Sequence, residues 1–319
     1  MSDGSPPVPV RRPLDVAAVL IMLGLCAVWG FQQVAMKAMA GSADPLMQVA
    51  LRSTGAAILV WVYSRVLRGD RWVEGIACRE GLAVGALFGI EYLFVGVGLR
   101  YTGSGLMSVL LYTAPVFAAV GLHLALPEER LTVPQWAGCL ASFAGVAVIF
   151  LFPSNPISGP VSSTELALFG AFCGLMAGLF WGLTTVTVRV SRLSNAPFSQ
   201  ALFYQLLGGG VVAWPIVIFA DYGHWETSGT LLMLTFYQTV IVCFASYLVW
   251  FWLLQRYLAS RLGIISLLAP VLAVILGALM LGEEITVQFV LSAGLIVAGI
   301  AAMMLSDVRS RRAKIVSPN

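Results

Sequence analysis

Charge is what this chain has least of. Asp, Glu, Lys and Arg together make up 10% of its 319 residues, where soluble domains carry about a quarter. That shortage excludes an ordinary water-soluble globule. Histidine is scarcer still: His123 and His224 are the two in the chain and lie far apart, so no HExxH and no local histidine pair exists. The five cysteines, Cys26, Cys78, Cys139, Cys173 and Cys243, form no CxxC and mostly sit inside apolar runs. They read as packing thiols, and neither a disulfide framework nor a metal site is expected. No basic stripe with interleaved aromatics is present, which argues against nucleic acid as a partner. No nucleophile stands beside a base and Glu91 has no acidic partner in its segment, so an intramembrane enzyme lacks its chemistry. No cofactor is expected.

What the chain has instead is hydrocarbon. Apolar residues are 59% of the total and mean hydropathy is +0.91. They fall into runs of about 20, the length that crosses ~30 Å of bilayer core. Charges, prolines and glycines bound ten runs, near 15–38, 45–66, 79–100, 104–126, 132–152, 165–189, 197–220, 229–255, 261–281 and 286–306. Backbone groups cannot go unpaired in lipid, and the runs show no ten-residue alternation, so they are read as helices and not as barrel strands. The expected fold is an all-α membrane protein of ten transmembrane helices, with the lipid bilayer as its surroundings. The first run, Val16 to Ala38, is too long for the apolar region of a cleaved signal and carries Gln32, Gln33 and Lys37 near its end.

Lys and Arg set the expected direction. With the N-terminus inside, Arg11, Arg12, Arg65, Arg68, Arg71, Arg79, Arg130, Arg189, Arg192, Arg256, Arg261, Arg309, Arg311, Arg312 and Lys314 all fall on the inner side. Lys37 and Arg100 fall outside, and Arg52 lies within the second span. Such a bias predicts a bacterial inner-membrane protein with both termini in the cytoplasm. The uncharged, turn-rich stretch Pro153-Ser154-Asn155-Pro156-Ile157-Ser158-Gly159-Pro160 is expected to divide the chain. The expected parts are an inner tail at 1–14, five helices at 15–152, an outer linker at 153–164, five more helices at 165–306 and an inner tail at 307–319.

The two groups of five are copies of one another. A shift of 152 superposes Trp29-Gly30 on Trp181-Gly182, Lys37 on Arg189, Pro45 on Pro197 and Gln48 on Gln200. A shift of 155 superposes Ala114-Pro115 on Ala269-Pro270 and Glu128-Glu129 on Glu283-Glu284. Because five is odd, the second copy starts from the opposite side, so the repeats are inverted. Inverted repeats give a pseudo-two-fold axis in the membrane plane, the arrangement of carriers that rock around a midplane site. Pro115 and Pro270 sit mid-span, where a missing N–H frees a carbonyl, and matching breaks in equivalent helices point to a binding or gating region. The alternative is that they only shape packing.

These motifs resemble the repeat unit of the drug/metabolite transporter superfamily, in its ten-helix EamA-type branch. The resemblance rests on Trp29-Gly30, the Pro45 entry to a span bearing Arg52, Ala114-Pro115, and Pro127-Glu128-Glu129, echoed by Trp181-Gly182, Pro197, Ala269-Pro270 and Gly282-Glu283-Glu284. It implies a bundle whose spans one, three, four, six, eight and nine surround a cavity, with spans five and ten peripheral. The aromatic content is most similar to bacterial exporters of aromatic and other neutral amino acids. Two departures matter. Where four-helix multidrug relatives carry a membrane Glu in the first span, this chain has Gln32 and Gln33. The basic residues by which phosphate-ester relatives grip anions on spans four and nine are missing here, with Arg261 only at an edge.

Candidate site residues follow from cost. Arg52 and Glu91 are the charges well inside the spans, and such charges are functional by default. Two readings stand: a buried ion pair between spans two and three, or contact with substrate or a proton. Tyr92, Tyr112, Trp181, Tyr237, Tyr247 and Trp250 could stack on an apolar substrate while keeping their polar tips paired. Gln33, Gln205 and Gln238 offer neutral donors and acceptors for a small-molecule substrate, or cross-links between helices. His123 reads as a packing histidine. A monomer is expected, because one chain already holds both repeats. The expectation is an exporter of small neutral metabolites, amino acids included. Rival readings are a multidrug carrier or importer of the same fold and, less well supported, a channel, which would favour a more polar pore.

Overall fold

Several helices start where a residue whose side chain stands in for a missing backbone partner precedes an apolar run. The computed structural model describes residues 15–127, 130–152, 163–220, 222–257 and 259–316. The expected inner tail with Arg11 and Arg12, the Glu128-Glu129 pair and most of the linker, 153–162, lie outside the described residues. So do the side chains of Arg261 and of the basic residues from Arg309 to Lys314.

Helix α1, Val16–Ala38, opens on Asp15, whose carboxylate accepts the Ala18 N–H at 2.7 Å. In α2, Pro45–Val62, Asp44 accepts from Leu46 N–H at 2.9 Å and proline takes the first position, where no N–H is needed. Next come α3, Leu82–Gly98, then α4, Ser104–Leu111, and α5, Ala114–Ala125. The break between α4 and α5 is the expected effect of Pro115, which cannot bond the Leu111 carbonyl. Helix α6, Val133–Leu151, ends the first copy. The second copy is α7, Thr164–Val190; α8, Phe198–Phe219; α9, Gly229–Phe236, and α10, Tyr247–Arg256; α11, Ala259–Ser266, and α12, Leu268–Leu281; and α13, Val287–Val316. Pro270 splits α11 from α12 as Pro115 splits α4 from α5. Among the described residues eight spans are long and apolar enough to cross a bilayer, and the shorter apolar helices Val133–Ile149 and Leu268–Leu281 complete ten.

Two features were not foreseen. A π-helical stretch, Tyr237–Ser246, joins α9 to α10, and π turns flank the loop after α2 at Tyr63–Leu67 and Ala77–Gly81. Wider turns shift side chains off the 3.6 period and recur at functional sites. The last helix runs on to Val316, well past the apolar run that sets the tenth span.

Packing is itself two-fold. Helix α2 lies on α8 and α6 on α13, each pair being equivalent helices of the two repeats, while α1 on α12 mirrors α7 on α4 and α5. Helices α3 and α8 approach so closely that a Cβ on Gly208 would strike the backbone of Gly85, so only glycine fits there. On the periphery, Ser142 Oγ donates to the Ile296 carbonyl at 3.1 Å, tying α6 to α13. Large apolar side chains such as Leu140, Phe219, Leu279 and Val290 face outward. A water-soluble surface would not carry such a belt, whereas lipid accepts it.

Candidate functional site

The centre of the bundle is assembled from α1, α2, α3 and the π stretch. Arg52, two turns into α2, is fully buried. Its Nη1 donates to Gln238 Oε1 at 2.9 Å and lies 3.7 Å from Met36 Sδ, while its guanidinium carbon sits 4.1 Å from the centre of the Tyr92 ring. Gln238 Nε2 in turn donates to the Gln32 carbonyl at 2.8 Å, and Gln32 Nε2 donates to Tyr92 Oη at 3.2 Å. Tyr92 Oη then meets Tyr247 Oη at 3.0 Å. A shift of 155 carries Tyr92 onto Tyr247, so this contact joins equivalent residues and marks the pseudo-two-fold axis.

The expected Arg52–Glu91 ion pair is not formed. No Arg52 nitrogen comes within 4.0 Å of a Glu91 carboxylate oxygen. Gln238 occupies Nη1 and Tyr92 covers the face of the guanidinium, while Glu91 projects about 100° around α3 from its neighbour Tyr92. Both charges keep unpaired atoms in the interior: Nε and Nη2 of Arg52, and Oε2 of Glu91. Buried Gln33 Oε1 is also unpaired.

Aromatic groups flank this cluster on both sides. Tyr112 and Trp181 meet edge-on at 5.5 Å, as do Trp29 and Trp250 at the same separation. Trp29 Nε1 donates to Ser246 Oγ at 2.9 Å. Trp29 and Trp181 each pack against both the cluster around Tyr92 and the one around Tyr112. Tyr237 is tied down, its hydroxyl donating to the Val28 carbonyl at 2.6 Å and its ring edge-on to Phe31. Of the expected set, Tyr92, Tyr112, Trp181, Gln238, Tyr247 and Trp250 come together. Gln205 stays half-buried on α8, which packs on α2 and α3, and no hydrogen bond links it to the cluster. His123 holds the chain after α5 in place, since its Nδ1 accepts the Leu131 N–H at 2.9 Å.

Three residues of the cluster were missed by reading the sequence: Trp29, Gln32 and Ser246. The repeat could have found two of them, since Trp29 maps onto Trp181 and Ser246 onto Glu91.

A second set of polar contacts closes the end of the bundle formed by the α1–α2, α3–α4, α8–α9 and α12–α13 connections. Lys37 Nζ donates to the Leu99 carbonyl and to that of Thr102 at 2.8 Å, binding α1 to the end of α3. Asp44 pairs with Arg100. Glu283 accepts from Ser104 N–H at 2.6 Å, Ser104 Oγ at 2.9 Å and Gly105 N–H at 3.1 Å. It caps the bare N-terminus of α4, where a negative charge also suits the helix dipole. Gly282, at φ 66° ending α12, makes the turn that aims Glu283 there.

Comparison with known proteins agrees with this architecture. The model of the EamA-like transporter family matches residues 16–151 and 168–305, one match for each copy of the repeat. The uncharacterized transporter YoaV of Bacillus subtilis is 27% identical over 88% of this chain and 96% of its own. A Salmonella typhimurium protein named "Probable amino-acid metabolite efflux pump" is 24% identical over 88% of this chain and 92% of its own. A protein of known crystal structure superposes with a TM-score of 0.62 at 22% identity, covering 95% of this chain and 99% of that one, and shares the fold. A family match across both five-helix copies makes this chain a member of the EamA-like transporter family, a multi-pass membrane transporter of the drug/metabolite superfamily.

Proposed function

We propose that the protein exports small neutral metabolites, amino acids with aromatic side chains among them, by alternating access around the central cluster. The observation that carries this reading is the chemistry of that cluster. Around the Tyr92–Tyr247 contact stand aromatic faces and neutral glutamines beside Arg52, while spans four and nine carry no Lys or Arg in their interiors, Arg261 lying at an edge. A flat apolar group stacks on Tyr and Trp, and its polar end finds donors and acceptors at the same depth. The named efflux pump among the relatives points the same way.

Alternating access finds support in the closed end. Inverted repeats allow each half to adopt the other's arrangement, and two residues fastening this end have counterparts in the repeat alignment: Lys37 maps onto Arg189 and Glu283 onto Glu128. The lysine and arginine distribution supports a bacterial inner-membrane location with both termini in the cytoplasm, which makes the closed end periplasmic. Both repeats lie in one chain, so a monomer suffices.

Purified protein in liposomes tests the proposal with labelled phenylalanine, threonine and methionine, with and without a pH gradient. Saturable uptake with counterflow is the expected result. Transport of a sugar phosphate with no amino-acid flux would overturn it, and non-saturable flux would indicate a channel.

A further inference from the structure

Arg52 and Glu91 are both buried, both incompletely bonded and not joined to each other. Polar atoms left without partners in a membrane interior are costly, and these are donors and an acceptor that a bound polar ligand would satisfy. The atoms left over are specific. A guanidinium can grip a carboxylate with two parallel bonds through its Nε–Nη2 edge, and that edge is the unpaired one, because Gln238 and Met36 hold Nη1 from the other side. The free Oε2 of Glu91 is an acceptor suited to an ammonium group. Glu91 is the chain neighbour of Tyr92, whose ring centre lies 4.1 Å from the Arg52 guanidinium carbon, so the two groups share one region of the interior without being bonded to each other.

We infer that Arg52 and Glu91 form a binding site for a zwitterion: the Nε–Nη2 edge of Arg52 takes an α-carboxylate and Glu91 takes the α-ammonium group of the same molecule. One such ligand satisfies both buried charges and leaves the site neutral. Tyr92 holds the guanidinium flat from one face and so fixes the direction of its edge. The ligand's side chain is then left to the surrounding aromatics.

This inference rests on the amino-acid reading above, and the experiment separates the two. Binding to wild-type protein in detergent is measured by calorimetry for phenylalanine, for phenethylamine, which lacks the carboxylate, and for 3-phenylpropionate, which lacks the ammonium. Wild type is expected to bind phenylalanine at least tenfold more tightly than either. Arg52→Gln is expected to lose the preference over phenethylamine while keeping that over 3-phenylpropionate, and Glu91→Gln to show the reverse, each judged on protein that melts cooperatively. If either variant does not fold, the wild-type comparison decides alone. Equal wild-type affinity for phenylalanine and a truncated analogue would overturn the zwitterion site and leave the amino-acid reading standing, as would folded variants with unchanged discrimination. Wild type that binds no neutral amino acid would overturn both.

Discussion

Tyr92 and Tyr247 touch hydroxyl to hydroxyl at 3.0 Å across 155 residues of chain. Their bonding is nevertheless unequal. Tyr92 Oη also accepts from Gln32 Nε2. Removing it therefore strands two groups, whereas removing the Tyr247 hydroxyl leaves Tyr92 Oη its bond from Gln32. At roughly 1 kcal/mol per hydrogen bond, with an added penalty for a buried group left unpaired, Tyr92→Phe is expected to cost about 2 kcal/mol or more and Tyr247→Phe about 1 kcal/mol. The double variant should cost less than the sum, because the two share one contact. Equilibrium unfolding of all three in micelles measures this, and strictly additive, equal costs would contradict the contact.

Glu283 is expected to hold its end of the bundle shut, the end proposed above to face the periplasm. Glu283→Gln keeps the volume but turns one acceptor into a donor facing backbone N–H groups of Ser104 and Gly105. In a background cleared of native cysteines, Leu106→Cys at the start of α4 should then react with an impermeant thiol reagent about tenfold faster from the periplasmic side, a change needing only about 1.4 kcal/mol of shift. Unaltered rates in Glu283→Gln and in Lys37→Met would show that these contacts do not close the end.

The contact between α3 and α8 predicts a pair of opposite glycine effects. Gly208→Ala must push the helices apart, and overpacking of this kind costs about 1–3 kcal/mol. Gly24, in α1, has open space around it, so Gly24→Ala should be neutral or stabilise by up to about 1 kcal/mol. Comparing the melting temperatures of the two variants is enough; a harmless Gly208→Ala would mean the helices are not so close.

Orientation can be read from two exposed loop residues, Thr227 between α8 and α9 and Ser194 between α7 and α8. In intact cells an impermeant maleimide should label Thr227→Cys and spare Ser194→Cys until the membrane is opened. The reverse pattern would invert the proposed topology.

The sequence by itself was enough for the ten helices, for their two copies and for the breaks at Pro115 and Pro270, because each depends on a local cause: run length against bilayer thickness, self-similarity, and a missing N–H. It also singled out Arg52 and Glu91 through their cost in hydrocarbon. What it could not decide was how those groups are used. An ion pair and a separated pair have the same sequence, and the choice depends on whether Gln238, from a π stretch 186 residues away, reaches Arg52 first. The role of Gln32 was hidden for the same reason, since a hydrogen bond between distant helices leaves no periodic trace, whereas Trp29 and Ser246 could have been reached through the repeat. Glu283 shows the division most plainly. Its repetition with Glu128 was visible in the chain, but its service as the cap of α4 was decided only when the left-handed turn at Gly282 brought it to an N-terminus 179 residues earlier.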